Sequence, residues 1–240
     1  MIRHFDSINI ETSSMCNRTC PTCIRNSNPN KEATKSWFEP HLMPMEVIED
    51  IFKQYVKMRC RSIVCLCNYN EPLMDPRIVD ITRLAKICGI SYIYFCTNGD
   101  FLTPEIAKDL DGVLDRITVS LYSPKTSHEE RSKYIKSLFE KTSVWINTRH
   151  RMTHFQPNVE FLNNLPCKFQ IGPIRLVINH KGQYCLCCDD LNGIFDLGTF
   201  PETSLSDYWF GSRHMTIMNN LREIGGRNKY AYCSTCPRVW

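Results

Sequence analysis

Three thiols within eight residues, in Cys16-Asn17-Arg18-Thr19-Cys20-Pro21-Thr22-Cys23, constrain this chain more than any other stretch. Three ligands so close together imply a metal. A closed structural zinc or iron-sulfur site takes four protein ligands, whereas three leave one coordination position for something that is not protein. Two completions stay open from the residues alone: a fourth ligand such as His4 or His41, giving a zinc knuckle, or an open iron-sulfur centre.

The order of elements around the triplet points to repeated strand-helix units. An alternating strand, Phe5 to Thr12, with Ile8 and Ile10 on one face, runs directly into it. No regular period emerges from Ile24 to Leu42, as expected of a long connection that covers a site or moves. A helix is then predicted from Met45 to Met58, with Val47, Ile48, Ile51, Phe52, Tyr55 and Val56 forming its apolar face. Strands follow at Arg61 to Cys67, Ile90 to Cys96, Arg116 to Leu121 and Val144 to Asn147. Helical segments at Pro76 to Cys88, Pro104 to Leu110 and Lys125 to Lys141 separate them. Five such units in about 150 residues fall short of the eight of a closed barrel, so the expected architecture is α/β, a partial, open (β/α) TIM-like barrel. In such a barrel the strand C-terminal ends face the mouth. That places Asn70 and Glu71, Thr97 and Asn98, Ser120 and Tyr122, and Arg149 and His150 there as candidate site residues. At Gly99 a turn with positive φ is expected.

After Pro166 the character changes. Cys167, a strand from Ile174 to Asn179, the turn Asn179-His180-Lys181-Gly182 and then Cys185, Cys187 and Cys188 read as a thiol-rich β-hairpin. Further on, Cys233 and Cys236 form a Cys-x2-Cys pair. The chain therefore divides, on this reading, into a barrel over residues 1–155 and a small hairpin-plus-helix metal domain over 156–240. A four-cysteine zinc ribbon uses similar chemistry.

Fourteen cysteines without a secretion signal argue for metal binding rather than a disulfide framework. Seven belong to the two sites, and most of the remaining seven (Cys60, Cys65, Cys67, Cys88, Cys96, Cys185 and Cys188) are expected to be small buried hydrophobes. The net charge of +4 is spread without a basic run, so nucleic-acid binding is not suggested. No apolar run approaches the ~18 residues of a membrane span, and a cytoplasmic, membrane-free protein is expected.

The Cys-x3-Cys-x2-Cys triplet resembles the signature of the radical S-adenosylmethionine (SAM) enzymes. In that family three cysteines hold a [4Fe-4S] cluster whose fourth iron is chelated by the methionine end of the cofactor. The resemblance implies that Cys16, Cys20 and Cys23 are the ligands, although Thr22 stands where the family usually has an aromatic residue. Glu71-Pro72 matches the end of the family's Gly-Gly-Glu-Pro segment, which implies a glutamate holding the cofactor's amino group, with Asn70, Thr97, Asn98 and Ser120 as further cofactor contacts. The pattern Cys167-x14-Gly182-x4-Cys187 followed by Cys233-x2-Cys236 is similar to the SPASM/twitch auxiliary domain of the family. This implies a second, closed [4Fe-4S] cluster on Cys167, Cys187, Cys233 and Cys236. Length and motif order resemble the twitch-type branch that dehydrogenates a cyclitol in aminoglycoside pathways. That likeness implies an oxidoreductase that abstracts hydrogen from an unactivated carbon of a small-molecule alcohol, with the auxiliary cluster as electron acceptor and a flavodoxin or ferredoxin-type electron donor. Where that branch shows an Asn-Arg-Gly-Gly run, this chain has Thr148-Arg149-His150-Arg151, so the proton acceptor stays open among Arg149, His150 and Tyr122. Epimerisation or thioether formation on a peptide, with Cys185 or Cys188 as hydrogen donor, is the enzymatic alternative. A non-catalytic zinc or iron-sulfur module is the other.

Overall fold

A computed structural model describes residues 5–21, 23–27, 38–59, 62–122, 127–148, 164–167, 174–190, 193–234 and 236. Six strands run parallel: β1 (Ser7–Ile10), β2 (Ile63–Cys65), β3 (Ile93–Thr97), β4 (Arg116–Ser120), β5 (Ser143–Asn147) and β6 (Arg175–Ile178). A seventh, β7 (Tyr184–Cys185), pairs antiparallel with β6. The order β5-β4-β3-β2-β1-β6-β7 has two free ends, so the sheet curves without closing. The expected open α/β barrel is what forms.

The alternation seen in the sequence sorts the two faces. Ile8, Ile10, Phe95, Ile117 and Val119 are fully buried and point to the helical side. There the helix Met45–Lys57 lays Ile48, Ile51 and Phe52 against them, and Ile78–Ile87 and Pro104–Leu110 cover the neighbouring strands. Burying aliphatic side chains of this size stabilises by about 2 kcal/mol each. The opposite face carries the alternate, mostly polar residues. Register sets Asn9, Cys65, Tyr94, Arg116 and Ser143 in one row across five strands.

Strand β6 belongs to both predicted halves. It forms the expected hairpin with β7, Val177 opposite Cys185, and it also pairs in parallel with β1, Asn9 opposite Val177. At the hairpin turn Gly182 has φ +79°, and a Cβ there would sit 2.7 Å from the Phe200 carbonyl oxygen. The helix Leu205–Phe210 then tucks Trp209, fully buried, edge-on against Phe5 at 5.0 Å, while Tyr184 and Tyr208 stack at 4.0 Å. The helix Ser212–Arg222 and a final turn of helix, Ala231–Ser234, complete the fold. Among the described residues no helix is long and apolar enough to cross a membrane.

Candidate functional site

The polar face of the sheet opens, at the C-terminal ends of its strands, into a cavity of about 270 Å³. Cys16, Cys20 and Cys23 stand on its rim, and Asn70, Glu71, Thr97, Asn98, Ser120 and Tyr122 all line it. Every predicted contact of the first site that lies among the described residues is thus gathered at one place. Arg149 and His150 lie outside the described residues. A larger open groove of about 610 Å³ runs between Ile194, Thr216 and Tyr230 on the other side of the C-terminal part. None of the predicted site residues lines it, so the chemistry is sought in the smaller cavity.

Glu71 is 3% exposed and heavily engaged. Its Oε1 accepts from Thr97 Oγ1 at 2.5 Å and from the Leu73 amide at 3.1 Å, and its Oε2 accepts from the Asn98 amide at 2.7 Å. Three donors favour the ionised form, yet burial outweighs them and raises its pKa above the ordinary carboxylate value. A carboxylate has about four acceptor sites, so room for one further donor remains on the side that faces the cavity. The Glu71 amide donates back to the Met15 carbonyl at 2.7 Å, fixing the entry to the thiol loop.

The loop's exit is held by Arg25, whose Nη1 donates to the Ser14 carbonyl at 2.8 Å and to the Tyr69 carbonyl at 3.2 Å. Its guanidinium lies 4.0 Å over the Phe38 ring. Desolvation raises the pKa of Cys16 and Cys23, so loading a metal must release their protons. Tyr122 sits under Arg18, 4.9 Å from ring centroid to guanidinium carbon, and burial raises its phenol pKa. Such a phenol stays protonated and donates a hydrogen bond more readily than it accepts a proton.

Whether a cofactor fits is tested by the cavity wall. Asn9 Oδ1 and Asn70 Nδ2 are buried there with no hydrogen-bond partner among the described residues. Unsatisfied buried polar atoms are costly, and two on one polar cavity wall mark where a polar ligand belongs. Three thiols on the rim, an ionisable carboxylate on the wall and these orphaned amides fit a cluster with a zwitterionic amino-acid ligand. Among the described residues no three His, Cys, Asp or Glu side chains converge as ligands of a single ion. A cluster spreads its thiolates over separate irons, and convergence on one point is not required of it.

Sequence reasoning missed part of the floor. Cys65 and Cys67 are buried as expected, but both line the cavity, with their sulfurs 3.5 Å apart, and the Cys96 amide donates to Cys67 Sγ at 3.2 Å. Cys96 is exposed, an exception to the buried state expected of most of these cysteines, because its strand position turns it into the cavity rather than the core. Cys188 is buried and lines the same cavity, whereas Cys185 is fully buried away from it. Cys60 lies outside the described residues. The period-two placement of Asn9 between Ile8 and Ile10 was the available signal for the inward face.

The second set of thiols comes together from three segments. Cys167 lies within electrostatic reach of both Cys187 and Cys233, and Cys233 of Cys236. Burial pushes the Cys187 thiol well above its ordinary value and the Cys233 thiol up to about 12. Arg227, 1% exposed, donates through Nε to the Cys233 carbonyl at 3.1 Å and through Nη2 to the Cys236 carbonyl, pinning the Cys-x2-Cys turn. The Cys167 amide donates to the Leu221 carbonyl at 2.7 Å. Tyr232 bonds the Asp189 carbonyl and so ties the last helix to the hairpin. Asn68 Nδ2 donates to the Cys188 carbonyl at 3.2 Å and Tyr69 Oη to Asp189 at 2.6 Å, which seats the hairpin against the wall of the first cavity. Thirteen cysteines are described and all are free thiols.

Comparison with known proteins gives a consistent result. Residues 10–143, more than half of the chain, match the family described as the Radical SAM superfamily. The S-adenosyl-L-methionine-dependent 2-deoxy-scyllo-inosamine dehydrogenase of Niallia circulans is 23% identical over 248 residues, spanning 100% of this chain and 95% of that one. The GTP 3′,8-cyclase of Aquifex aeolicus is 31% identical over 119 residues, 48% of this chain and 35% of the cyclase. Among solved structures, BtrN in complex with AdoMet and 2-DOIA superposes with a TM-score of 0.78 at 22% identity, covering 100% and 95% of the two chains. Native anSMEcpe with bound AdoMet gives 0.61 at 13% identity, covering 96% and 88%.

Proposed function

The chain belongs to the Radical SAM superfamily, and from that premise we propose that it is an oxidoreductase that dehydrogenates a hydroxyl group of a small polyhydroxylated molecule. The single observation that carries the reading is the convergence of the thiol triplet, Glu71 and the orphaned amides of Asn9 and Asn70 on one cavity. The end-to-end likeness to a cyclitol-amine dehydrogenase, rather than over the barrel alone, supports the choice of reaction.

Cys16, Cys20 and Cys23 would hold the first [4Fe-4S] cluster and Cys167, Cys187, Cys233 and Cys236 a second one, in an auxiliary unit over residues 156–240. When bound, the first cluster with S-adenosylmethionine would supply the radical chemistry of hydrogen abstraction, and the second would supply an electron sink. The chain's own residues do the rest. Glu71 would accept from the cofactor's ammonium group, and Asn70, Thr97, Asn98 and Ser120 would orient it. The hairpin pressed against the cavity wall through Asn68 and Tyr69 excludes water from the side that faces the second site. Tyr122, protonated, donates to a substrate oxygen, which leaves His150 as the group that receives the hydroxyl proton, while Arg149, always a cation, can stabilise the oxygen only as a donor. A flavodoxin or ferredoxin-type protein is the reductant. Peptide modification gains less support, because Cys185 is sealed in the core and only Cys188 borders the cavity.

The test is anaerobic reconstitution with iron and sulfide, followed by incubation with reductant, S-adenosylmethionine and a panel of cyclitols and aminocyclitols. A ketone product formed in step with 5′-deoxyadenosine is expected. A protein that takes up zinc instead of iron, or cleaves the cofactor without oxidising any alcohol, would contradict the two halves of the proposal respectively.

A further inference from the structure

The stretch from Met15 to Pro21 forms neither helix nor strand, so something outside it must give the thiol loop its shape. Between the first two thiols, Asn17 and Arg18 both reach across to the turn after β3. Asn17 Nδ2 donates to Asp100 Oδ2 at 2.8 Å, Arg18 Nε to the same oxygen at 2.7 Å, and Arg18 Nη2 to Asp100 Oδ1 at 2.6 Å. The carboxylate is thus gripped by both teeth of a guanidinium fork, the most directional pairing available to an acidic side chain. Arg18 holds the Asp100 carboxyl below its usual pKa, which keeps it charged.

Asp100 is itself fixed. Its amide donates to Asn98 Oδ1 at 2.9 Å, Asn98 Nδ2 donates to Asn17 Oδ1 at 2.8 Å, and the Asn98 amide donates to Glu71. With the Glu71 amide bonded to Met15, the hydrogen bonds form a circuit from the loop through the ends of β2 and β3 and back to the loop. Gly99 makes this possible, since its φ is +75° and a Cβ there would approach Val119 Cγ1 to 2.8 Å. The Arg18 and Asp100 side chains are 31% and 27% exposed, so screening limits what the pair adds to overall stability. Its weight is geometric.

We propose that Asp100 is a positioning residue for the first cluster: through Asn17 and Arg18 it sets the spacing at which Cys16 and Cys20 are presented, and it holds the Arg18 guanidinium on the Tyr122 ring at the cavity rim. This rests on the reading of Cys16, Cys20 and Cys23 as cluster ligands. A loop released from this clamp keeps its thiols but samples more conformations, and a cluster bound to it is lost faster.

The experiment follows iron release from the reconstituted full chain under a chelator, in a background in which Cys233 and Cys236 are Ala so that only the first site reports. Asp100→Asn, which preserves size, is expected to release iron about tenfold faster. Arg18→Gln should do the same and serves if Asp100→Asn does not fold by circular dichroism. The charge-swapped pair Asp100→Arg with Arg18→Asp should return release to within about threefold of the parent, a rescue that a merely structural role does not give. Parent-like release in Asp100→Asn, or a swapped pair no better than the single variants, overturns the proposal. Cys16→Ala separates the two levels. If it still binds iron at the first site, the ligand reading has failed. If it loses that iron while Asp100→Asn holds its own at the parent rate, only the positioning role has failed.

Discussion

The two groups of thiols solve one problem in different ways. The N-terminal three come from one stretch of chain, lie at intermediate exposure on a cavity rim, and are flanked by bonds from Arg25 and to Asp100 in the turn after β3. The C-terminal four come from segments as far apart as Cys167 and Cys236, and they sit where Arg227, Tyr232 and the Leu221 carbonyl join three pieces of chain. On the proposed reading, the fold would hold the ligands in the first region, and in the second the ligands would help to hold the fold. A site left open for chemistry needs a scaffold that is finished without it, whereas a closed site can serve as part of the scaffold.

Breaking either side of that contrast should give unequal results. The largest effect is expected from Cys16→Ala, Cys20→Ala or Cys23→Ala, each of which should abolish 5′-deoxyadenosine formation while the thermal midpoint stays near that of the parent. Chromatography of the nucleoside beside a melting curve checks both halves, and parent-level cleavage in any one variant would remove that residue from the ligand set.

Replacing Cys233 and Cys236 together should instead lower iron from about eight to about four per chain, with cleavage retained, product lost and the melting midpoint lowered. Iron analysis and product quantification decide this. Full iron retention would contradict the ligand assignment, and full turnover at half the iron would contradict the electron sink.

A smaller change is expected from Glu71→Gln. Losing a charge-assisted hydrogen bond to an ammonium group costs about 2–3 kcal/mol, so the Kd for S-adenosylmethionine should rise roughly a hundredfold with iron unchanged. Equilibrium binding to the reconstituted variant measures it, and an unaltered Kd would make Glu71 a purely structural residue.

Acid should separate the regions by stability. His214, 2% exposed, has its pKa lowered by burial to about 4, so it is neutral in the folded chain. Between pH 6.5 and 4 the unfolded chain binds the extra proton and stability falls with pH, by about 2 kcal/mol at pH 5. Unfolding by denaturant at pH 7 and pH 5 should show this loss in the parent and a flatter response in His214→Gln. An identical pH dependence in both would assign the acid sensitivity elsewhere.

Much of the scaffold was legible before any coordinates. Helix Pro104–Leu110 falls where it was expected, and strands β1 to β5 each lie within or beside their expected segments, because turn residues and apolar runs are local signals. Glu71 and the thiols were legible from motif spacing. The double role of β6 was not, since its pairing with β1 joins residues far apart in sequence and leaves no local trace. The grip of Arg18 on Asp100 escaped for the same reason: both residues look like solvated surface charges until the loop and the turn after β3 are brought together. Reading Cys65 and Cys67 as buried hydrophobes held but told only part of their role. Burial was right, but the direction in which the sulfurs face depends on strand register, and composition does not reveal it.

Those sulfurs give the cavity a sidedness of its own. Thiol sulfur is polarisable and hydrogen-bonds weakly, while the amides of Asn9 and Asn70 bond strongly. On the proposed reading, a flat polyhydroxylated ring lowered onto Cys65, Cys67 and Cys96 would rest a C–H face on the floor and leave the amide wall to the cofactor. Floor and wall together would fix how such a ring tilts beside the cofactor, and choosing its handedness would need a third contact.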